Sequence, residues 1–80
     1  MLKVLKSFTR AQQRIFLLLQ EHSGKVVRYQ ALLNKLGKQD TAPNRKILSA
    51  HISRIRQKIN HLPVTIDTIT KQGYLLREEK

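Results

Sequence analysis

The stretch "HISRIRQKIN", residues 51–60, holds three basic side chains, Arg54, Arg56 and Lys58, and no acid, while its isoleucines fall at positions 52, 55 and 59. Steps of three and four residues are helical, so one side of this segment is apolar and must face a core. Extended backwards, the stripe takes in Leu48, and the run "GKQDTAP" at 37–43 has the composition of a loop. Asn44 is then the expected N-cap of a helix over 45–60. At about 100° per residue, Lys46, Ala50, Ser53, Arg54 and Gln57 lie opposite the apolar stripe. His51 and Lys58 fall on one flank and Arg56 on the other.

The charged side of this helix calls for an explanation beyond hydration. A solvated helix face normally mixes signs, because Glu to Lys pairs one turn apart stabilise it by a few tenths of a kcal/mol each. No acid occurs anywhere from Thr41 to Leu62. The resulting repulsion would be relieved by an anionic partner, and phosphates are the obvious one. Small side chains at Ala50 and Ser53 would let the backbone come close to that partner. Arg54 and Gln57 can present paired hydrogen-bonding groups to base edges.

The totals agree. The chain has 80 residues with 16 Lys plus Arg against 5 Asp plus Glu, a net charge of +11. That length makes one small domain with a thin core, and that charge points to a polyanion. Cysteine is absent, which excludes disulfides, thiolate chemistry and Cys-ligated zinc. The longest purely apolar run, Ile15 to Leu19, is far below the ~20 residues that cross a bilayer. "MLKVLKS" at 1–7 lacks the apolar stretch of a signal peptide and could supply at most one short strand. A soluble, cytoplasmic, nucleoid-associated protein is expected, with no internal repeat.

Working outward, "FTRAQQ" at 8–13 pairs Thr9 with Gln12 at the spacing of a capping box. A helix over 8–22 should follow, with Ala11, Ile15, Leu18, Leu19 and His22 on its inner face and Gly24 as its stop. "KVV" at 25–27 is β-branched and could form a very short strand. A second helix is expected over 29–36, with Leu32, Leu33 and Leu36 apolar and Gly37 ending it. After Pro63 the pattern becomes "VTIDTIT" and then "KQGYLL", a β-hairpin over 64–76 turning at Lys71, Gln72 and Gly73. Gly73 is the expected positive-φ residue of that turn. Thr70 and Lys71 sit at the tip, where they could reach a phosphate or a minor groove.

The predicted fold class is mainly α with a small antiparallel β wing: three helices plus a C-terminal hairpin, which is the order of a winged helix-turn-helix. Within it, "AHISRIRQKI" (50–59) followed by "VTIDTITKQGYLL" (64–76) resembles the closing half of the OmpR/PhoB-type DNA-binding domain. That family's recognition helix reads His-Ile-x-x-Leu-Arg-x-Lys-Leu and its wing Ile-x-Thr-Val-x-Gly-x-Gly-Tyr-x-Leu. The matching positions are His51, Ile52, Ile55, Arg56, Lys58 and Ile59, then Ile66, Thr68, Ile69, Gly73, Tyr74 and Leu76. Upstream, "FTRAQQRIFLLLQEHSGKVVRYQALL" (8–33) is similar to the family's first two helices and the turn between them.

The resemblance implies binding of double-stranded DNA, with the third helix in the major groove and the wing near the minor groove. It places the family's principal base-contacting arginine on Arg54, a phosphate-contacting one on Lys46 and its histidine on His51. Arg56 is expected in a supporting or phosphate role. The DNA-binding set is therefore Lys46, Ala50, His51, Ser53, Arg54, Arg56, Gln57, Lys58, Thr70 and Lys71. Departures are Leu48-Ser49-Ala50 for the family's Val-Asp-Val, Thr70-Lys71 for its wing Arg-Gly, and Arg28 where Ser or Thr often caps the second helix. Members usually carry a receiver domain and a four-stranded sheet before the first helix, and the seven residues before Phe8 hold neither.

Two other function classes stand as alternatives: a nonspecific architectural nucleic-acid binder, and a module that contacts RNA polymerase or another regulator through the 37–43 loop. Without a receiver a monomer is expected in solution, able to pair on DNA. Catalysis is not expected, because Ser49 and His51 point in different directions and the five carboxylates form no pair with a nucleophile. His22 has no second ligand at metal-site spacing, and no cofactor is expected. No helix sets Trp or Phe on an apolar face opposite a basic one, so membrane binding is not expected either.

Overall fold

The computed structural model describes residues 6–79. The one strand allowed for in "MLKVLKS" falls mainly outside that range. Among the described residues, three helices pack against a three-stranded antiparallel sheet in the chain order α1 (Arg10–Glu21), β1 (Val26–Arg28), α2 (Tyr29–Lys35), α3 (Ala42–Ile59), β2 (Val64–Ile69), β3 (Gly73–Glu78). This is a winged helix.

The expected capping box starts α1. Thr9 Oγ1 accepts from the Gln12 amide at 3.2 Å and Gln12 Oε1 accepts from the Thr9 amide at 3.1 Å, which satisfies two of the donors a helix start leaves open. The inner face differs from the expectation. Gln12, Ile15, Phe16 and Leu19 are buried, Ala11 and Leu18 are half-buried and His22 is exposed. The stripe is rotated toward Phe16 because its ring fits edge-to-face against Phe8, centroids 5.3 Å apart. His22 closes the helix, its Nδ1 3.1 Å from the Leu18 carbonyl oxygen.

The third helix begins three residues before the expected position. Thr41, not Asn44, is the N-cap: its hydroxyl accepts from the Asn44 amide at 3.3 Å, and the Asn44 side chain donates back to the Gln39 carbonyl at 2.8 Å. Pro43 is tolerated because the first helical turn needs no amide donor there. Ala42 and Pro43 therefore belong to α3, and the loop shortens to 37–41. Gly37, at φ +72°, ends α2 as expected, and Arg28 stands at the N-cap of α2 with no side-chain capping bond.

The sheet order is β1-β3-β2. The "KVV" segment is thus a wing strand, pairing Val26 with Leu75, Val27 with Tyr74 and Arg28 with Gly73. In the hairpin turn the positive φ belongs to Lys71, at 65°, and not to Gly73. Gly73 lies in β3, where a Cβ would fall on the Val27 carbonyl oxygen and 2.9 Å from the Arg28 Cα. Its missing side chain lets two strands approach rather than letting the turn bend.

Candidate nucleic-acid interface

Leu48, Ile52, Ile55 and Ile59 are buried along one side of α3, joined in the core by Leu32, Leu33, Ile15 and Leu76. Anchoring that side fixes what the helix shows to solvent. Lys46, Ala50, Ser53, Arg54 and Gln57 are all exposed on the opposite side, so the structure brings these five together as the helical spacing predicts. Thr70 and Lys71 are exposed at the wing turn.

The flanking residues behave differently. Arg56 turns into the wing, donating from Nε and Nη2 to the Ile66 carbonyl at 2.9 and 2.7 Å and from Nη2 to Thr68 Oγ1 at 2.9 Å. Lys58 turns the other way, its ammonium bonded to the Ser7 carbonyl at 2.5 Å and to Gln12 Oε1 at 2.7 Å. Both belong to the DNA-binding set expected from the sequence; in the fold their side chains brace α3 against β2 and against the start of α1. Charge-assisted bonds of this kind are the stronger ones in a small domain.

His51 is half-buried, and its Nδ1 has no hydrogen-bond partner among the described residues. Burial pushes its pKa below the ordinary 6.5, helped by the positive charges of Arg54 and Lys38. Folding thus lowers the affinity of this imidazole for a proton. Its contribution to stability is intact while the unfolded chain is neutral, above about pH 6.5, and is lost as the pH falls toward the folded value. We expect the urea midpoint to drop between pH 7 and pH 5, and to drop less in His51→Asn. An equal drop in both proteins would assign the pH dependence to other groups.

Residues that the sequence reading passed over complete the surface. Arg28 and Arg45 line one polar hollow with Asp40 and with Lys71 and Gln72 of the expected wing turn, at the join of β1, α2 and the wing. Arg45 is held there by two bonds to Asp40, 2.6 and 2.9 Å, with its guanidinium 4.4 Å from the Tyr29 ring centroid. Hydrogen bonding to Arg45 keeps the Asp40 carboxyl below the usual carboxylate range. Tyr29 in turn packs edge-to-face on Tyr74, 5.8 Å between centroids. The start of α3, the loop and the wing are thereby tied together. Ile47, 42% exposed, stands beside Ala50 and Arg54; its helical angle alone would have placed it there.

Residues 5–76 match the family model described as "Transcriptional regulatory protein, C terminal". The chain belongs to this family, the OmpR/PhoB-type DNA-binding domains. It is a DNA-binding domain of a transcription regulator and not an enzyme. A similar curated protein is the alkaline phosphatase synthesis transcriptional regulatory protein PhoP of Bacillus subtilis (strain 168), 35% identical over 75 residues. The match takes in 90% of this chain and 31% of PhoP, so the chain spans about a third of that relative's length.

Solved domains of other regulators have the same shape. The Klebsiella pneumoniae RstA DNA-binding domain in complex with the RstA box superposes with a TM-score of 0.74 at 26% identity, covering 89% of this chain and 73% of that one. The C-terminal domain of the nisin resistance regulator NsrR gives 0.70 at 28% identity, covering 91% and 76%. The Bacillus subtilis CssR DNA-binding domain gives 0.71 at 24% identity, covering 88% and 77%, which speaks for the fold alone. The positive φ of Lys71 falls where the OmpR/PhoB-type wing carries glycine, so this chain holds a lysine in a conformation that costs about 1 kcal/mol. Among the described residues no helix is long and apolar enough to cross a membrane.

Proposed function

We propose that this domain binds a specific sequence of double-stranded DNA and controls transcription from it, in the cytoplasm on nucleoid DNA. In this reading α3 enters the major groove, Arg54 and Gln57 meet base edges, and Lys46 meets a phosphate. The wing turn at Thr70 and Lys71 lies against the neighbouring minor groove. The observation that carries the reading is the exposed, acid-free face of α3 at Lys46, Ala50, Ser53, Arg54 and Gln57. The solved complex of the RstA domain with the RstA box supports it by likeness. Arg56 and Lys58 act from behind, holding the helix at a fixed angle to the wing and to α1.

Selection from a random duplex pool, followed by competition of the selected duplex against bulk DNA at fixed salt, tests this. A sequence-specific regulator should prefer its site by a factor of about 10³ or more. A nonspecific architectural binder shows no such ratio, and that outcome would replace the proposal. Lys46→Ala should weaken all sequences alike and reduce the slope of log affinity against log salt by about one. An unchanged slope would take Lys46 off the phosphate backbone. For RNA polymerase or another protein partner we assign the 37–41 loop, whose Lys38 and Gln39 are exposed while the Asp40 to Arg45 pair holds its backbone in place.

A further inference from the structure

Ile47 is a large apolar side chain left 42% exposed on a helix whose other exposed side chains are polar, charged or small, Pro43 apart. It is the sixth residue of α3 (Ala42–Ile59), in the half of a recognition helix that reaches base edges. Seven residues return a helix to within about 20° of the same direction, so Ile47 and Arg54 point along one line with Ala50 between them. Docking that brings Arg54 to a base would also dehydrate Ile47. In the major groove the apolar group available to receive it is the C5-methyl of thymine, since the other edge groups are hydrogen-bond donors and acceptors. Burying an isoleucine against those instead would desolvate them without a partner.

We infer that Ile47 is a specificity-determining residue that reads a thymine methyl in the major groove. The inference rests on the proposed DNA-binding reading. Seven residues rise about 10.5 Å along the axis, and base pairs rise about 3.4 Å. Because the helix follows the groove, which is inclined to the DNA axis, the thymine lies about two to three steps from the base read by Arg54. Its methyl is worth about a fourfold change in affinity, the value of one buried carbon.

The test uses the selected duplex with each thymidine replaced in turn by deoxyuridine, which removes the methyl and keeps the pairing. One replacement, about two to three steps from the Arg54 base, should weaken wild-type binding about fourfold. Ile47→Ala should bind the thymidine and deoxyuridine duplexes equally, while Leu17→Ala, an exposed apolar residue on α1, should keep the wild-type ratio. If no replacement affects the wild type, or Ile47→Ala keeps the full ratio, the inference is overturned. Loss of selectivity in Arg54→Ala would in that case still support DNA binding through α3. If selection enriches no sequence at all, both readings fall together.

Discussion

Gly73→Ala is expected to destabilise the domain by about 3 kcal/mol or more, at the upper end of what overpacking costs. A β-carbon there would meet backbone: the Val27 carbonyl oxygen and carbon and the Arg28 Cα. A flexible side chain could move aside, but this stretch of backbone cannot. Val27 is buried, β1 is paired along its whole length with β3, and α2 starts at the next residue after Arg28. Relief requires β1 to part from β3, which also disturbs the Tyr29 and Tyr74 packing. Gly24→Ala is the control, because Gly24 has φ +81° with open space around it. Its penalty is conformational alone, about 1 kcal/mol. Urea unfolding of both variants separates the two kinds of glycine. If Gly73→Ala cost no more than Gly24→Ala, the described pairing of β1 with β3 would be wrong.

Arg54→Ala should cost about 1 to 3 kcal/mol in binding to a selected site and relax discrimination at one base position. Arg54 is exposed, whereas Arg56, two residues on, is bonded to Ile66 and Thr68. The two arginines are therefore expected to fail differently. Removing Arg54 should leave the unfolding midpoint unchanged and alter which sequences are bound. Removing Arg56 would loosen the wing and lower the midpoint. Binding curves on the selected duplex and on its single-base variants give the answer, and an Arg54→Ala protein that binds its site as well as the wild type would remove α3's outer face as the reader.

The periodicity of the isoleucines was enough to place a helix, bury Leu48, Ile52, Ile55 and Ile59, and thereby aim Lys46, Ala50, Ser53, Arg54 and Gln57 outward. This works because a helix has one period, so the identity of the buried side settles the identity of the exposed one. Local chemistry carried the Thr9 and Gln12 box and the glycine stop at Gly37 for the same reason: each involves atoms a few residues apart. Composition does not reveal Thr41 as the N-cap, because it counts all of "GKQDTAP" as loop although proline is tolerated in the first turn of a helix.

What only the tertiary structure decided are the meetings of residues far apart in the chain. Val27 pairs with Tyr74, and that pairing, not the turn, is why position 73 is glycine. The ends of Arg56 and Lys58 find carbonyls on β2 and before α1, so two side chains with the charge of DNA contacts became braces. A long flexible cation can reach several acceptors, and sequence spacing states its charge but not which acceptor lies within about 3 Å. Sequence by itself determined the element types, the buried face and the sign of the surface, because these depend on local period and composition. The sheet order and the fate of each flanking cation depended on packing between segments, which no local pattern encodes.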